Sequence, residues 1–267
     1  GITEDISNKI PPLFRLSASI ISAIILVWIF SLQLTANGIP LLNSLFSIKF
    51  IALIITILSI ALMAQSINII DGLNGLSIGA TLIMIASIGI IAFNNGDSEL
   101  TQFSWFFFTC LLGLFIFNFP RGFLFVGDGG AYFLGAAISV GLIKYYQSND
   151  LSPWYVLLML IYPLTDVIFS IARRIISKYS ALEPDNKHLH HLIYRRVKKM
   201  SFSSENLNHS LVTLLTFVLY FPFLLGANYF SQDTSMLQIL CLIFFMFYLF
   251  IYFLLAPKDF FSKTWIC

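Results

Sequence analysis

Charge is scarce in this sequence. Only 10% of its 267 residues are Asp, Glu, Lys or Arg, and 58% are hydrophobic. A soluble domain carries about a quarter charged residues, so the composition excludes a water-solvated globule and points to lipid as the solvent. Cysteine is scarce too: Cys110, Cys241 and Cys267 show no metal or disulfide spacing. Strand-type alternation is absent and the apolar runs are too long for barrel strands, which leaves helices. The two halves share no repeat, which counts against a transporter built from inverted halves. The chain starts at Gly1 rather than Met, and Gly1–Asp5 is not a signal peptide, so an N-terminal portion is expected to be missing. A net charge of +2 gives no reason to expect nucleic acid.

Apolar length is what the chain has in abundance. A bilayer-spanning helix needs roughly 20 mostly apolar residues. Eight stretches meet that need, near 14–34, 48–67, 76–93, 103–120, 130–146, 154–172, 210–230 and 236–256. The expected fold is therefore all-α, a polytopic transmembrane helical bundle of about eight spans in one domain over 1–267. If the spans alternate, the loops 1–13, 68–75, 121–129, 173–209 and the tail 257–267 share one face. With Arg15 at its margin, that face holds thirteen of the fifteen Lys and Arg residues, and only Lys49 and Lys144 lie on the other. The positive-inside rule makes the basic face cytoplasmic. Arg173–His209 is the only long loop, and its length and charge suggest a function.

Four polar constellations occupy that face. Asn68-Ile-Ile-Asp71-Gly72-Leu-Asn74-Gly75-Leu76 puts three oxygen-bearing side chains beside a glycine turn. Such ligands suit Mg²⁺, which keeps several waters and bridges to substrate phosphates; a turn with capping Asn and Asp is the plainer alternative. In Asn118–Tyr132, Asp128 is flanked by Gly127, Gly129 and Gly130 just before an apolar run. An ionisable residue at a membrane helix end suggests function, although a capping Asp fits as well. Pro184-Asp-Asn-Lys-His188-Leu-His190-His191-Leu192, with Arg173, Arg174, Arg195 and Arg196 around it, suits a phosphate or diphosphate clamp. Zinc lacks a Cys partner there, and a polybasic strip on anionic lipid accounts for Arg195–Lys199 but not for the histidines. Glu4 and Asp5, ahead of the first span, would be ordinary solvated charges if they stood alone.

These strings resemble the polyprenyl-phosphate N-acetylhexosamine-1-phosphate transferases of glycosyltransferase family 4. The resemblance rests on Asn68–Leu76, on Phe117-Asn-Phe-Pro with Gly127-Asp-Gly-Gly-Ala-Tyr-Phe-Leu-Gly135, on Pro163-Leu-Thr-Asp166 with Arg173-Arg174, and on Pro184–His191. It is strongest to the undecaprenyl-phosphate branch and more distant to phospho-N-acetylmuramoyl-pentapeptide transferase. It implies transfer of an N-acetylhexosamine 1-phosphate from a UDP-sugar to undecaprenyl phosphate, with release of UMP and a requirement for Mg²⁺ (Mn²⁺ as an alternative). By position, Asn68 and Asp128 would be metal ligands, and Asp5, Asp71 and Asp128 catalytic. Glu4, Asn74, His188, His190 and His191 would bind substrate, Glu4 departing from the commoner Asp-Asp pair. The resemblance further implies ten or eleven spans in the full protein. It implies a bacterial plasma membrane location with the site facing the cytoplasm, the lipid bilayer as surroundings, and a homodimer as an option. A secondary transporter or lipid flippase using Asp71, Asp128 and Asp166 as intramembrane charges is the competing expectation.

Overall fold

The computed structural model describes residue 5 and residues 10–34, 46–148, 151–180, 185–200 and 204–256, and among these all regular structure is helical. Ten helices follow in order: α1 (Pro12–Phe30), α2 (Lys49–Ile70), α3 (Leu76–Asn94), α4 (Ser98–Asn118), α5 (Gly127–Ser148), α6 (Pro153–Met159), α7 (Ile161–Ile176), α8 (Leu189–Lys199), α9 (Glu205–Tyr229) and α10 (Thr234–Leu255). Their limits are written in the sequence. Pro12 and Pro153 occupy first turns, where a missing N–H costs nothing. Asp97 and Asp233 cap α4 and α10 by accepting from Leu100 N and Met236 N, each at 3.0 Å.

Six helices (α1, α2, α3, α4, α9 and α10) are long and apolar enough to cross a bilayer, and the pair α6–α7 makes up to seven. The polytopic helical bundle is as expected, with one departure in the expected spans. The stretch 154–172 is not one straight span but two helices bent by 79°. Pro163 stands third in α7, where its ring would clash with the Met159 carbonyl one turn earlier in a continuous helix, and α6 ends at Met159. The stretch 130–146 becomes α5, 22 residues long. Glycines and polar residues dilute its apolar content below that of the six. Residues 173–209, expected to be a loop, hold the end of α7, all of α8 and the start of α9.

α3 is the central post, with Leu76, Ile78, Met84 and Ile88 fully buried. α1 and α4 are peripheral and leave large apolar side chains such as Trp28 (82% exposed) and Phe106 (70%) pointing outward, which only a lipid solvent makes inexpensive. α5 packs chiefly on α2. At the crossing, a Cβ on Gly135 would lie 2.6 Å from Ala64 Cα and 2.6 Å from the Met63 carbonyl oxygen. The two backbones therefore touch. That contact fixes where the polar end of α2 meets the polar start of α5.

Candidate active site

One turn beyond Ala64, Asn68 donates its amide N–H to Asp128 Oδ1 at 2.8 Å. Asp128 stands in the first turn of α5, and its own backbone N–H donates to Asp5 Oδ1 at 2.9 Å. Asp5 thus serves the free N–H end of that helix. Gly127, at φ +68°, makes the entry into α5, and a side chain there would press on the Asp5 carboxylate. Asn68, Asp128 and Asp5 therefore form one chain of contacts drawn from three parts of the sequence. Glu4 lies outside the described residues.

Asp71 ends α2 and accepts a hydrogen bond from the Ser77 hydroxyl. Burial, reinforced by the nearby charges of Asp128 and Asp5, pushes its carboxyl up to about 7 in spite of the Ser77 bond. A carboxyl buried beside two further carboxylates is a place that favours a cation. Among the described residues, no three His, Cys, Asp or Glu side chains are gathered so as to hold a metal ion by themselves. That does not conflict with Mg²⁺, which uses one or two carboxylates and fills its shell with waters and substrate phosphates. The hard oxygen donors of Asp128, Asn68 and Asp71 fit such an ion.

The histidine string reaches the same place from the opposite side. Asp166 in α7 is fully buried and organises it. Its Oδ1 accepts from Leu189 N (2.9 Å) and the Tyr248 hydroxyl (2.7 Å), and its Oδ2 faces His188 Nδ1 at 2.8 Å. Beside it, Asp185 accepts from Ser170, from Arg173 and from Lys187 N. Burial opposes charge on His188, but the Asp166 carboxylate and its hydrogen bond outweigh it and hold the ring above its ordinary value. His190 and His191 go the other way. Burial and neighbouring imidazoles push His190 well down and His191 down to about 4, so both are neutral near pH 7.

Neither ring nitrogen of His190 has a hydrogen-bond partner although the residue is fully buried, and a buried polar group left unpaired is costly. Both rings face the Asp71 turn. A Cβ on Gly72 would sit 3.8 Å from His191 Nε2 and 4.0 Å from His190 Nε2. The two imidazole edges therefore stand within ordinary contact of the Gly72 position, beside Asp71.

Asn74 has a different place from that expected of a substrate ligand. It is 3% exposed, its amide donates to the Pro120 carbonyl at 3.1 Å and lies 3.4 Å from Asn206 Oδ1, and its Oδ1 is 3.3 Å from His209 Nδ1. Thr213 also donates to its carbonyl at 2.8 Å. It ties the Asp71 turn to the Pro120 loop and α9. Asn118 reinforces that tie, accepting from Gly75 N and donating to the Leu124 carbonyl. Gly75 itself, at φ +81°, starts α3. Arg173 and Arg174, expected around a phosphate clamp, are buried, Arg173 on Asp185 and Arg174 on the Ser180 carbonyl at 2.6 Å. Sequence reasoning gave no place in the site to Tyr248 or His209, and held Asp166 and Asp185 only as members of the strings that carry the resemblance, without a role of their own in the transfer.

Beside the start of α5, a cavity of about 470 Å³ opens between α1, α2 and α5. Its walls are mostly apolar, among them Phe14, Ile25, Ile60 and Phe133, and Arg15 and Ser19 lend it a polar edge near Gly129 and Tyr132.

Comparison with known proteins finds relatives of one kind. The undecaprenyl-phosphate alpha-N-acetylglucosaminyl 1-phosphate transferase of Thermotoga maritima is 31% identical over 114 residues, covering 43% of this chain and 35% of that protein. The probable undecaprenyl-phosphate N-acetylglucosaminyl 1-phosphate transferase of Bacillus subtilis is 30% identical over 162 residues, covering 59% of this chain and 43% of that protein. A decaprenyl-phosphate N-acetylglucosaminephosphotransferase of Mycobacterium leprae is 33% identical over 93 residues, covering 30% of this chain and 23% of that protein. The matches thus span less than half the length of these relatives. The model of glycosyl transferase family 4 matches residues 1–146, more than half of the sequence and the part that contains Asp5, Asn68, Asp71 and Asp128. The chain belongs to glycosyl transferase family 4.

Proposed function

We propose that the protein transfers an N-acetylhexosamine 1-phosphate from a UDP-sugar to a polyprenyl phosphate of the undecaprenyl type. The products are a polyprenyl-diphosphate sugar and UMP. The observation that carries this reading is the meeting of two unsatisfied groups: the acidic set around Asp71, and the neutral His190 and His191 whose Nε2 atoms face Gly72. The first calls for a cation and the second for hydrogen-bond acceptors. A metal-chelated diphosphate supplies both.

In that reaction an oxygen of the acceptor phosphate forms a bond to the β-phosphorus of the UDP-sugar, and the bond from that phosphorus to the bridging oxygen breaks, the oxygen leaving with UMP. Asp128 and Asn68, with Asp71 alongside, would hold Mg²⁺, which neutralises the diphosphate and the departing UMP. His190 and His191, in the tautomer that carries the single proton on Nε2, donate to diphosphate oxygens and keep the donor in line, which is where phosphoryl transfer gains most. Asp5, at the N-terminus of α5, positions the acceptor phosphate; a phosphate monoester is already largely dianionic at neutral pH, so it needs no strong base. The apolar cavity between α1, α2 and α5 takes the start of the lipid tail, selected there by packing rather than by exclusion from water, with Arg15 at its polar edge. The excess of Lys and Arg in the loops beside the site supports a location at the cytoplasmic face of the plasma membrane. The product there would start a cell-surface glycan such as O-antigen or another cell-wall polymer.

The test is incubation of membranes holding the full-length protein with labelled UDP-N-acetylglucosamine, undecaprenyl phosphate and Mg²⁺. Label should pass to a butanol-extractable lipid with equimolar UMP release, and chelation should stop it. Label that stays water-soluble across a panel of UDP-N-acetylhexosamines would overturn the assignment.

A further inference from the structure

The histidine string is held from a helix far away in the sequence. α10 runs almost wholly through apolar residues, yet its Tyr248 and Tyr252, one turn apart, are 2% and 1% exposed and put their hydroxyls into the polar layer. Tyr248 donates to Asp166 Oδ1 at 2.7 Å, and Tyr252 donates to the Lys187 carbonyl at 2.7 Å. Phe169 of α7 wedges against both rings, 5.8 Å and 4.6 Å between centroids. The two bonds act on adjacent points of one device. Lys187 precedes His188, and Asp166 is the group His188 points at.

The carboxylate of Asp166 can face the histidines in only one rotation. With Oδ1 occupied by Tyr248 and Leu189 N, Oδ2 is turned to His188 Nδ1 at 2.8 Å and to His190 Nδ1 at 3.7 Å. Holding Nδ1 of each ring on the Asp166 side leaves Nε2 on the other, and for His190 that is the side facing Gly72. We infer that Tyr248 and Tyr252 of α10 are positioning residues for the donor diphosphate, acting through Asp166 and the Lys187 carbonyl to aim the His188–His191 string at the Asp71 turn. They touch no reacting atom themselves. The inference rests on the transfer reaction proposed above. It also assigns to α10, which lies beyond the 1–146 match, a part in donor recognition rather than in anchoring alone.

The test removes single hydroxyls from the full-length protein. Tyr248→Phe should raise KM for the UDP-sugar about tenfold, equivalent to roughly 1.4 kcal/mol, with KM for polyprenyl phosphate changed less than about twofold. In combination with His190→Ala the two losses should fall well short of adding, as expected for residues acting as one unit. The control is Tyr220→Phe. Tyr220 is equally buried but its hydroxyl has no partner, so both KM values should stay at wild type. Should Tyr248→Phe not accumulate as folded protein, Tyr252→Phe tests the same split at the Lys187 carbonyl. A second readout needs no substrate: proton–nitrogen spectra of labelled histidine should show a hydrogen-bonded Nδ1–H at His188 that Tyr248→Phe weakens and Tyr220→Phe does not. Equal rises in both KM values, full additivity with His190→Ala, or an unchanged His188 signal would each overturn the inference. If the wild type transfers no sugar phosphate, the proposed function falls, and the spectra still decide whether the tyrosines aim the histidines.

Discussion

Replacing Gly135 with alanine should disable the site while leaving the protein folded. The added Cβ would meet Ala64 Cα and the Met63 carbonyl oxygen at 2.6 Å, both backbone atoms, and ordinary contact begins at 3.4 Å. Neither atom can swing aside, so α2 and α5 must separate by about 0.8 Å at the crossing, a strain of the kind that costs about 1–3 kcal/mol. Alanine recovers up to about 1 kcal/mol of helix propensity over glycine, so the net loss of stability is small. The site is less tolerant. Asn68 and Asp128 sit on the two separating helices, and a 0.8 Å increase takes their 2.8 Å bond to about 3.6 Å, outside hydrogen-bond range. A bond to a charged group contributes roughly 1.5–3 kcal/mol, so transfer should fall at least about tenfold. Gly141→Ala on the same helix is the matched comparison, since nothing lies within 4 Å of its added Cβ, and it should be neutral or slightly stabilising. Thermal midpoint in detergent and initial rates over a Mg²⁺ titration measure both effects. Wild-type rates for Gly135→Ala at wild-type Mg²⁺ demand would refute the reasoning, because the helix contact would then not govern the metal end.

Asp128→Asn should abolish transfer while the protein still inserts and expresses, since the change keeps the volume and removes the charge next to Asp71; measurable turnover in saturating Mg²⁺ would refute it. The raised carboxyl of Asp71 makes a signed prediction. Between the ordinary carboxylate value near 4 and about 7 the folded state holds a proton that the unfolded state has released, so in chelator the wild type should lose thermal stability relative to Asp71→Asn as pH rises from about 5 to 8. Mg²⁺ should recover that loss above pH 7, and parallel curves for the two proteins would exclude the charge cluster. His190→Ala should raise KM for the UDP-sugar about tenfold with membrane association unchanged, whereas Lys198→Gln with Lys199→Gln should change transfer little, because Lys198 is engaged by exposed Glu205 at 3.4 Å, away from the Asp71 turn. A larger effect from the lysine pair would make this segment a membrane anchor.

The parts of the site legible in the sequence are those where a rare residue type stands in an apolar background. Asp71, Asp128 and the three histidines are conspicuous because charge and imidazole are costly at a membrane helix end, and the structure does bring their turns together. What was hidden depended on distance along the chain. Tyr248 reaches Asp166 across 82 residues and Tyr252 reaches Lys187 across 65, and a tyrosine in an apolar helix is equally compatible with the lipid interface. Asn74 was ambiguous in principle: a ligand and a scaffold pin are both asparagines in turns, and only the partners at Pro120 and His209 separate them. In α5 the glycines were visible, but that Gly135 among them serves a backbone contact at Ala64 required the packed helix pair.

The two acidic centres differ in how far the protein satisfies them, and that difference divides their work. Asp166 is saturated by Tyr248, Leu189 N and His188, so its charge is spent within the fold and it can move only if several bonds break together. It is suited to hold geometry. Asp71 receives one hydroxyl, from Ser77, and is otherwise set against the charges of Asp128 and Asp5. Burial beside two carboxylates is a free-energy cost that the proposed cation and its bound phosphate would remove, so binding energy would be released at the reacting end and not at the structural one. A transporter using the same carboxylates would need to reach both faces through alternating packing. Here Asn74, Asn118 and the Gly135 contact fasten the Asp71 turn to its neighbours, and a fixed charge cluster joined to a fixed histidine string favours chemistry at one face over passage between two.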